Sequence, residues 1–210
     1  MFYFAKTPGW LKSLYPRRTW DIKTNNKDVY LSFDDGPHPE ITTFVLDELA
    51  KYKAKASFFC IGKNVVAYPG IYSRIIDEGH TVGNHTYDHL NGWKVSNEKY
   101  LNDIKEAKLY IDSKFYRPPY GRMTNFQQRL LNENMEIVMW SILSGDFDKN
   151  ISADRCLSNV VLNIYPGAIV VFHDSEKAFT LLKDVLPKTL NYLNEKGYNF
   201  KRLEYKAEVL

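Results

Sequence analysis

The chain has 210 residues, 44% of them hydrophobic and 25% charged, so it is long enough to bury one core and unlike a disordered protein. Its net charge of +3, without a dense Lys/Arg run, gives no reason to expect nucleic acid as a partner. The longest apolar run, residues 168–172, is too short to span a bilayer. The first twenty residues contain Pro8, Lys12 and Pro16 and lack the apolar segment of a signal peptide, which predicts a cytoplasmic protein, with non-classical export as the alternative.

The N-terminal segment, residues 1–28, differs in character from the rest of the chain. It holds Trp10, Tyr15 and Trp20 among prolines and basic residues. We predict an irregular arm whose aromatic side chains pack on a single domain formed by residues 29–210.

From residue 29 onward, short apolar runs alternate with amphipathic segments. The apolar runs predict seven strands, the first beginning at Val29 and the others at residues 56–61, 81–83, 115–116, 137–140, 168–172 and 199–203. The last helix contains Pro187, where we expect a kink or two short helices, because an interior proline removes a hydrogen bond. Strands that alternate with helices predict an α/β fold with a parallel sheet. Seven such units favour an incomplete (β/α)7 barrel, although an open doubly wound sheet would give the same pattern.

Polar residues stand where the predicted strands end. They are Asp34 and Asp35 after the first strand, His85 after the third, Arg117 after the fourth, Asp146 in the loop after the fifth, and His173 and Asp174 after the sixth. In a parallel sheet all of these ends lie at one rim, which is where ligands and catalytic groups collect.

The two histidines of the segment His-Thr-Tyr-Asp-His, His85 and His89, are four residues apart, which places both rings on one side of a helical turn. Imidazole suits Zn²⁺, and a catalytic zinc usually has three protein ligands, so a carboxylate of the first strand is the expected third ligand. Asp34 and Asp35 can then divide two tasks, one binding the metal and the other acting as general base. The alternatives are two surface histidines and a loop-initiating acid pair.

Two further side chains are candidates for positioning and proton transfer. Arg117 precedes two prolines that stiffen the backbone, and it can pair with a carboxylate and keep the base ionised; otherwise it is a surface arginine. His173 is either a core histidine or, if Asp146 holds it, a general acid. Candidates for an apolar or sugar-stacking pocket are Tyr120, Trp140 and Phe147, although core packing is the favoured role for any one of them.

Four segments of the chain resemble, in order, the motifs of the NodB-homology polysaccharide deacetylases, carbohydrate esterase family 4. They are Leu-Ser-Phe-Asp-Asp-Gly-Pro at 31–37, His-Thr-Tyr-Asp-His at 85–89, Arg-Pro-Pro-Tyr-Gly at 117–121 and Val-Val-Phe-His-Asp at 170–174. The resemblance spans roughly residues 29–203. It implies a distorted (β/α) barrel and metal-dependent removal of acetyl groups from sugars.

The resemblance also implies a role for each matching residue. Asp34 would be the catalytic base, Asp35, His85 and His89 would bind a divalent metal, most simply Zn²⁺, and His173 would be the acid. Arg117 would tether the base, and the amide of Tyr120 would contribute to an oxyanion hole. Pro119, Tyr120 and Trp140 are the predicted substrate contacts.

One motif departs from the family pattern. Members typically carry Asp-Trp in the stretch around residues 140–147, with another acid upstream, whereas here Asp146 is followed by Phe147. Ser141 and Leu143 stand where the upstream acid might be expected. The departure concerns the partner of His173 and the shape of the acetyl pocket, not the metal site.

The sequence therefore predicts a hydrolase of carbon–nitrogen bonds that removes acetyl groups from an acetylated amino-sugar polymer or oligomer, with O-acetyl esters as a further substrate type. Two alternatives stay open: a metal-assisted amidase acting on a small non-sugar amide, and a catalytically silent carbohydrate-binding protein on the same fold. A structural zinc protein fits less well, because such sites are usually four-coordinate and rich in thiolates.

Overall fold

Eight strands form one sheet within residues 3–205, the part of the chain that the computed structural model describes. They are β1 (Asp28–Asp34), β2 (Ser57–Cys60), β3 (Thr81–Asn84), β4 (Phe115–Tyr116), β5 (Glu136–Ile137), β6 (Ile142–Leu143), β7 (Ile169–His173) and β8 (Asn199–Phe200). Their order is β5-β4-β3-β2-β1-β7-β6, with β8 beside the start of β1. All of these pairings are parallel, as predicted.

The sheet is curved, and the chain itself requires the curvature. β5 and β6 lie at opposite ends of the strand order, yet only four residues lie between Ile137 and Ile142, which makes five Cα–Cα steps. Five such steps reach at most about 18 Å, whereas the ends of a flat seven-stranded sheet would be about 29 Å apart. The two edges must therefore approach each other, which gives the predicted incomplete barrel.

The N-terminal arm fills the gap between these two edges. The amide of Thr19 donates to Ile137 (2.8 Å) at one edge, and the amide of Leu143 donates to Ala5 (2.9 Å) at the other. Backbone pairing by the arm thus satisfies edge groups that a closed barrel would pair between strands.

The arm is more regular than predicted, because it contains a short helix, α1 (Gly9–Leu14). Trp20 is buried in a cluster with Met139, and Tyr15 packs against that cluster. Trp10, by contrast, is 64% exposed. The domain boundary at residue 29 stays a prediction.

The predicted fifth strand, residues 137–140, is wrong at its carboxyl end, and β6 was not predicted. The carbonyls of Val138 and Met139 accept hydrogen bonds from Nε (3.2 Å) and Nη2 (2.9 Å) of Arg117. A buried side chain therefore binds two carbonyls that a longer strand would pair with a neighbouring strand, which a local sequence pattern does not reveal.

Among the described residues, seven further α-helices pack around the sheet. They are α2 (Ile41–Lys51), α3 (Gly62–Ala67), α4 (Pro69–Asp77), α5 (Asn97–Lys108), α6 (Asn125–Leu131), α7 (Ala153–Val161) and α8 (Glu176–Glu195). α8 is one helix, so the alternative of two short helices at Pro187 is wrong; Lys183, whose carbonyl loses its helical donor, is exposed to water. Within residues 3–205, no helix combines the length and the apolar character needed to cross a membrane.

Strand β1 lies at the centre of the sheet and has two different faces. Val29, Leu31 and Phe33 belong to the main apolar core, which includes residues of α2 and α8. Ser32 and Asp34 point to the opposite face, because side chains alternate along a strand, and both contact the same guanidinium group there. This alternation delivers a carboxylate to the inside of the barrel at its carboxyl rim.

Candidate active site

A cavity of about 730 Å³ opens at the carboxyl rim of the sheet. Five of the predicted site residues line it, and they are Asp34, Asp35, His85, His89 and His173. Arg117 and Asp146, which were predicted at the same rim, are buried and are not among the lining residues. Apolar side chains complete the wall, among them Trp140, Leu143, Phe147 and Val171. The cavity thus combines titratable groups with an apolar surface, as ligand sites commonly do.

Three side chains offer a compact set of metal donors. One donor atom each of Asp35, His85 and His89 lies within 4.8 Å of the other two. Asp35 Oδ1 is 3.2 Å from His89 Nε2 and 3.7 Å from His85 Nε2. This oxygen is buried and makes no well-formed hydrogen bond with the described residues. Two imidazole nitrogens that lie close to a buried carboxylate oxygen without a hydrogen-bond partner form a donor set that fits a divalent cation.

The orientation of His85 supports this fit. Its Nδ1 lies 2.8 Å from the Arg117 carbonyl, which can only accept, so Nδ1 carries the proton and the lone pair lies on Nε2. Burial lowers the pKa of His85 to about 4, more than nearby carboxylates raise it, so the ring is neutral near pH 7. A neutral imidazole fixed by a carbonyl at its far nitrogen is the usual form of a metal ligand.

The loop that carries both histidines is irregular, so the predicted helical turn at His85 and His89 is wrong. Thr86 and His89 have φ values of 66° and 58°, in the left-handed region. Asn84 Oδ1 accepts from the Thr86 amide (2.8 Å), and Asp103 Oδ2 accepts from the next two amides (2.8 and 3.2 Å). These buried side chains hold a strained loop in which the ring centroids are 5.1 Å apart.

Asp35 continues β1 into a turn, with φ at 84°. Burial by itself raises the pKa of Asp35, but the polar contact with His89 and the charges of the neighbouring imidazoles outweigh it and hold that pKa well below its usual range. The carboxylate is therefore ionised, as a metal ligand must be.

Asp34 is buried one residue earlier and pairs with Arg117. The guanidinium Nη1 donates to Asp34 Oδ1 at 2.6 Å and to Ser32 Oγ at 2.9 Å. The Arg117 side chain is fully buried, and its guanidinium carbon lies 3.9 Å from the centroid of the Phe59 ring. These contacts hold a charged carboxylate in one orientation at the cavity wall.

His173 is held in the same way by Asp146. Its Nδ1 lies 2.8 Å from Asp146 Oδ1, and its backbone amide donates to Oδ2 at 2.7 Å. Burial alone lowers the pKa of His173, but the charge and hydrogen bond of Asp146 raise it to about 9. The imidazole ring is therefore protonated on both nitrogens, and positively charged, at neutral pH. Phe147 packs edge-on against it, with ring centroids 5.1 Å apart.

The predicted substrate contacts separate into two groups. Tyr120 and Trp140 line the cavity, and the Tyr120 ring centroid is 4.7 Å from that of His89. Tyr120 has φ at 61° within a short 3₁₀ turn, Pro119–Gly121. Pro119 is buried and is not among the residues that line the cavity.

Sequence reasoning gave no role to Asp174, the residue after His173. Its buried carboxylate accepts from the Gly36 amide (3.0 Å) and from the Thr42 hydroxyl, so it anchors the turn that follows Asp35. Burial, reinforced by the charge of Asp35, raises the pKa of Asp174 to about 7 against the effect of these hydrogen bonds. The position of Asp174 directly after a histidine at the end of a strand is the sequence feature that could have indicated a role in the site.

The fold and the site together define a curved parallel α/β protein with carboxylates and imidazoles gathered in one cavity. Residues 21–137 match the polysaccharide deacetylase family. The chain therefore belongs to the polysaccharide deacetylase family, and the resemblance found in the sequence is confirmed.

Individual relatives agree with this assignment. A Bacillus cereus protein named peptidoglycan-N-acetylglucosamine deacetylase is 38% identical over 184 residues, which cover 84% of this chain and 66% of the relative. The name of this relative describes the hydrolysis of an amide carbon–nitrogen bond. The predicted enzyme class is thus confirmed at the level of the family.

Solved structures give the same fold. The Bc1960 peptidoglycan N-acetylglucosamine deacetylase, in complex with 4-naphthalen-1-yl-N-oxidanyl-benzamide, is 36% identical, with a TM-score of 0.85 over 94% of this chain and 95% of that chain. BA3943 from Bacillus anthracis, described as a pseudoenzyme of carbohydrate esterase family 4, is 26% identical, with a TM-score of 0.74 over 90% of this chain and 68% of its own. The predicted barrel is confirmed, and the fold alone does not imply turnover.

Proposed function

We propose that this protein hydrolyses the acetamide of N-acetylated amino sugars in an oligosaccharide or polysaccharide, with a divalent cation held by Asp35, His85 and His89. The observation that carries the proposal is that these three donors share a cavity with two independently positioned proton-transfer groups. Asp34 is held by Arg117, and His173 is held by Asp146. A storage or structural metal site would have no use for either group.

The roles follow from protonation states and position. Asp34, ionised beside Arg117, takes a proton from the attacking water as general base. His173, protonated at neutral pH, gives a proton to the sugar nitrogen as the carbon–nitrogen bond breaks, because the amine would otherwise leave as a poor anion. The amide of Tyr120 donates to the oxygen that becomes negative. Trp140, Leu143 and Val171 offer an apolar surface for the acetyl methyl group.

The cation is Zn²⁺ in this proposal, since two imidazoles and a carboxylate are a common catalytic zinc set. When bound, it would supply Lewis-acid activation of the water and of the acetyl carbonyl. The N-oxidanyl-benzamide named with the Bc1960 structure is a hydroxamate, a group that chelates divalent cations through two oxygens. That relative therefore supports a metal at the corresponding position here.

The substrate class rests on the relatives. Curated relatives are named deacetylases of peptidoglycan and of chitooligosaccharides, both polymers or oligomers of N-acetylated amino sugars. Acetyl esters are the second candidate substrate, because an alkoxide leaves more readily than an amide nitrogen and needs less help from His173. The cytoplasmic location stays a prediction, which fractionation of the source cells tests.

Acetate release tests the proposal directly. The substrates are N-acetylchitooligosaccharides, peptidoglycan, acetylxylan and a small free amide such as acetamide, each with the purified protein, the chelator-treated protein and the protein restored with Zn²⁺. We expect release from the amino sugars, loss of activity with chelator and recovery with metal. Release from acetamide alone would indicate an amidase. Absence of release from every substrate, together with oligosaccharide binding, would indicate a silent binding protein like the described pseudoenzyme.

A further inference from the structure

Trp93 is an exposed aromatic side chain that the structure nevertheless holds in place. It is 61% exposed, yet its indole Nε1 donates to the Met123 carbonyl at 3.0 Å, and its amide donates to Asn91 Oδ1 at 3.0 Å. The preceding carbonyl, that of Gly92, accepts from Gln127 Nε2 at 3.0 Å. The ring is therefore presented to solvent by a fixed loop rather than by a loose one.

Arg122 connects this ring to the proposed catalytic cavity. The guanidinium carbon of Arg122 lies 5.1 Å from the centroid of the Trp93 ring, and Arg122 itself lines the cavity. Tyr120, two residues earlier, is 54% exposed and packs against the candidate metal ligand His89. Tyr120, Arg122 and Trp93 thus form a path of aromatic and cationic groups that leads out of the cavity along the surface.

We propose that Trp93 is a stacking platform for a sugar unit that lies next to the unit being deacetylated in the same chain. This inference rests on the proposed function and adds a subsite to it. The C–H face of a pyranose ring is apolar and matches the exposed face of an indole. Arg122, between the platform and the cavity, can donate to the hydroxyl or acetamide oxygens of the connecting sugar.

The size of the surface favours a sugar over a protein partner. A stable protein interface buries on the order of 1,000 Å² or more in total, whereas this path consists of three side chains. A polymer substrate needs only one ring to stack beside the reacting unit, because its other end is already held in the cavity. Because the two sugar units are covalently linked, binding of one unit in the cavity raises the effective concentration of the other unit at Trp93.

The test compares short and long substrates. We would measure kcat/KM for acetate release from N-acetylchitooligosaccharides, from the dimer to the pentamer, with the wild type, Trp93→Ala, Trp93→Phe and Trp10→Ala. In the wild type the pentamer should exceed the dimer. Trp93→Ala should lower the pentamer-to-dimer ratio about tenfold through KM, because one aromatic contact is lost. Trp93→Phe should retain most of the ratio. Trp10→Ala removes an equally exposed indole outside the cavity lining and should leave the ratio unchanged.

Calorimetric binding of the pentamer separates this inference from the proposed function. The titration uses the Asp34→Asn background, with and without Trp93→Ala, after melting curves show that both proteins are folded. About tenfold weaker binding with Trp93→Ala supports the platform even if the wild type releases no acetate. Equal affinity, absence of pentamer binding, or an unchanged pentamer-to-dimer ratio would overturn it.

Discussion

The guanidinium group of Arg117 joins Asp34 to the segment that links the two edges of the barrel. Its Nη1 donates to Asp34 Oδ1 at 2.6 Å. Its Nε and Nη2 donate to the carbonyls of Val138 and Met139, which lie between β5 and β6. The carboxylate at the end of the central strand and the gap in the barrel are therefore stabilised by the same buried side chain. The position of Asp34 and the stability of the fold are therefore coupled at this residue.

Replacement of Arg117 by Lys should impair both properties. A single ammonium group cannot reproduce the planar fork, so at least one buried carbonyl or Asp34 loses its donor. We expect a loss of about 1–3 kcal/mol in the free energy of unfolding, typical of a buried polar group left without a partner. The catalytic rate should fall about a hundredfold or more. Urea unfolding and acetate release measure the two effects. Arg129→Lys, at an exposed position, is the control; equal behaviour of the two variants would contradict the coupling.

Asp34→Asn should separate metal binding from turnover. The amide oxygen can still accept from Arg117, but the side chain can no longer take a proton, so kcat should fall about 10²–10⁴-fold. Metal content, measured by elemental analysis, should stay at the wild-type level because the three donor residues are intact. Full activity in this variant would remove Asp34 from the role of base.

His89→Ala should lose metal affinity. The change removes one of the three donor atoms that lie within 4.8 Å of one another, and Asp35 and His85 alone make a weaker site. Zinc retained after dialysis against a graded chelator series should fall, with activity falling in parallel. His38→Ala, which keeps all three donors, should retain the metal. Unchanged zinc in His89→Ala would show that the cation binds elsewhere.

The sequence predicted the site far better than the backbone that supports it. The strand ends of a parallel sheet must meet at one rim, so the positions of Asp34, His85 and His173 followed from the strand pattern alone. The left-handed residues at Asp35 and His89 did not follow, because distant side chains hold both turns: Asn64 donates to the Asp35 carbonyl, and Asp103 accepts from the two amides that precede His89. A hydrogen bond between residues far apart in the sequence leaves no repeating pattern around either residue, so the local sequence does not predict it.

Asp146→Asn should shift the pH profile of the enzyme. The pKa of His173 is raised to about 9, so its acidic form is present at neutral pH and is lost as the pH rises through that value. Removal of the Asp146 charge should lower this pKa by about 1–3 units and move the alkaline limb of kcat to lower pH by the same amount. Asp148→Asn, in the same loop, is the control and should leave the alkaline limb of kcat at the wild-type pH. If the alkaline limb did not shift in Asp146→Asn, His173 would be excluded as the acid.

The same variant should change stability in a pH-dependent way. Since the folded pKa of His173 lies above its ordinary value of 6.5, the pair contributes stability that is fully present below about pH 6.5 and lost as the pH rises through about 9. Asp146→Asn should therefore destabilise the protein more at pH 6 than at pH 10. Unfolding free energies from urea titrations at both pH values measure the difference.

Gly36→Ala should disturb the metal site through Asp174. A methyl group on Gly36 would lie 2.0 Å from Asp174 Oδ2, whose carboxylate is buried and also held by Thr42. Either that carboxylate or the turn after Asp35 must move, which should cost about 1–3 kcal/mol in unfolding free energy, as overpacking does. Zinc affinity should fall as well, because Asp35 belongs to the displaced turn.

Gly70→Ala provides the matched control for this change. Gly70 lies in α4, and a methyl group there would meet no heavy atom within 4 Å. Alanine should stabilise the protein by about 0.5–1 kcal/mol, because glycine loses more backbone freedom in a helix. Zinc affinity should stay at the wild-type value, because the substitution does not touch the turn after Asp35. If Gly36→Ala matched Gly70→Ala in both stability and zinc affinity, the contact between Gly36 and Asp174 would have no part in holding Asp35.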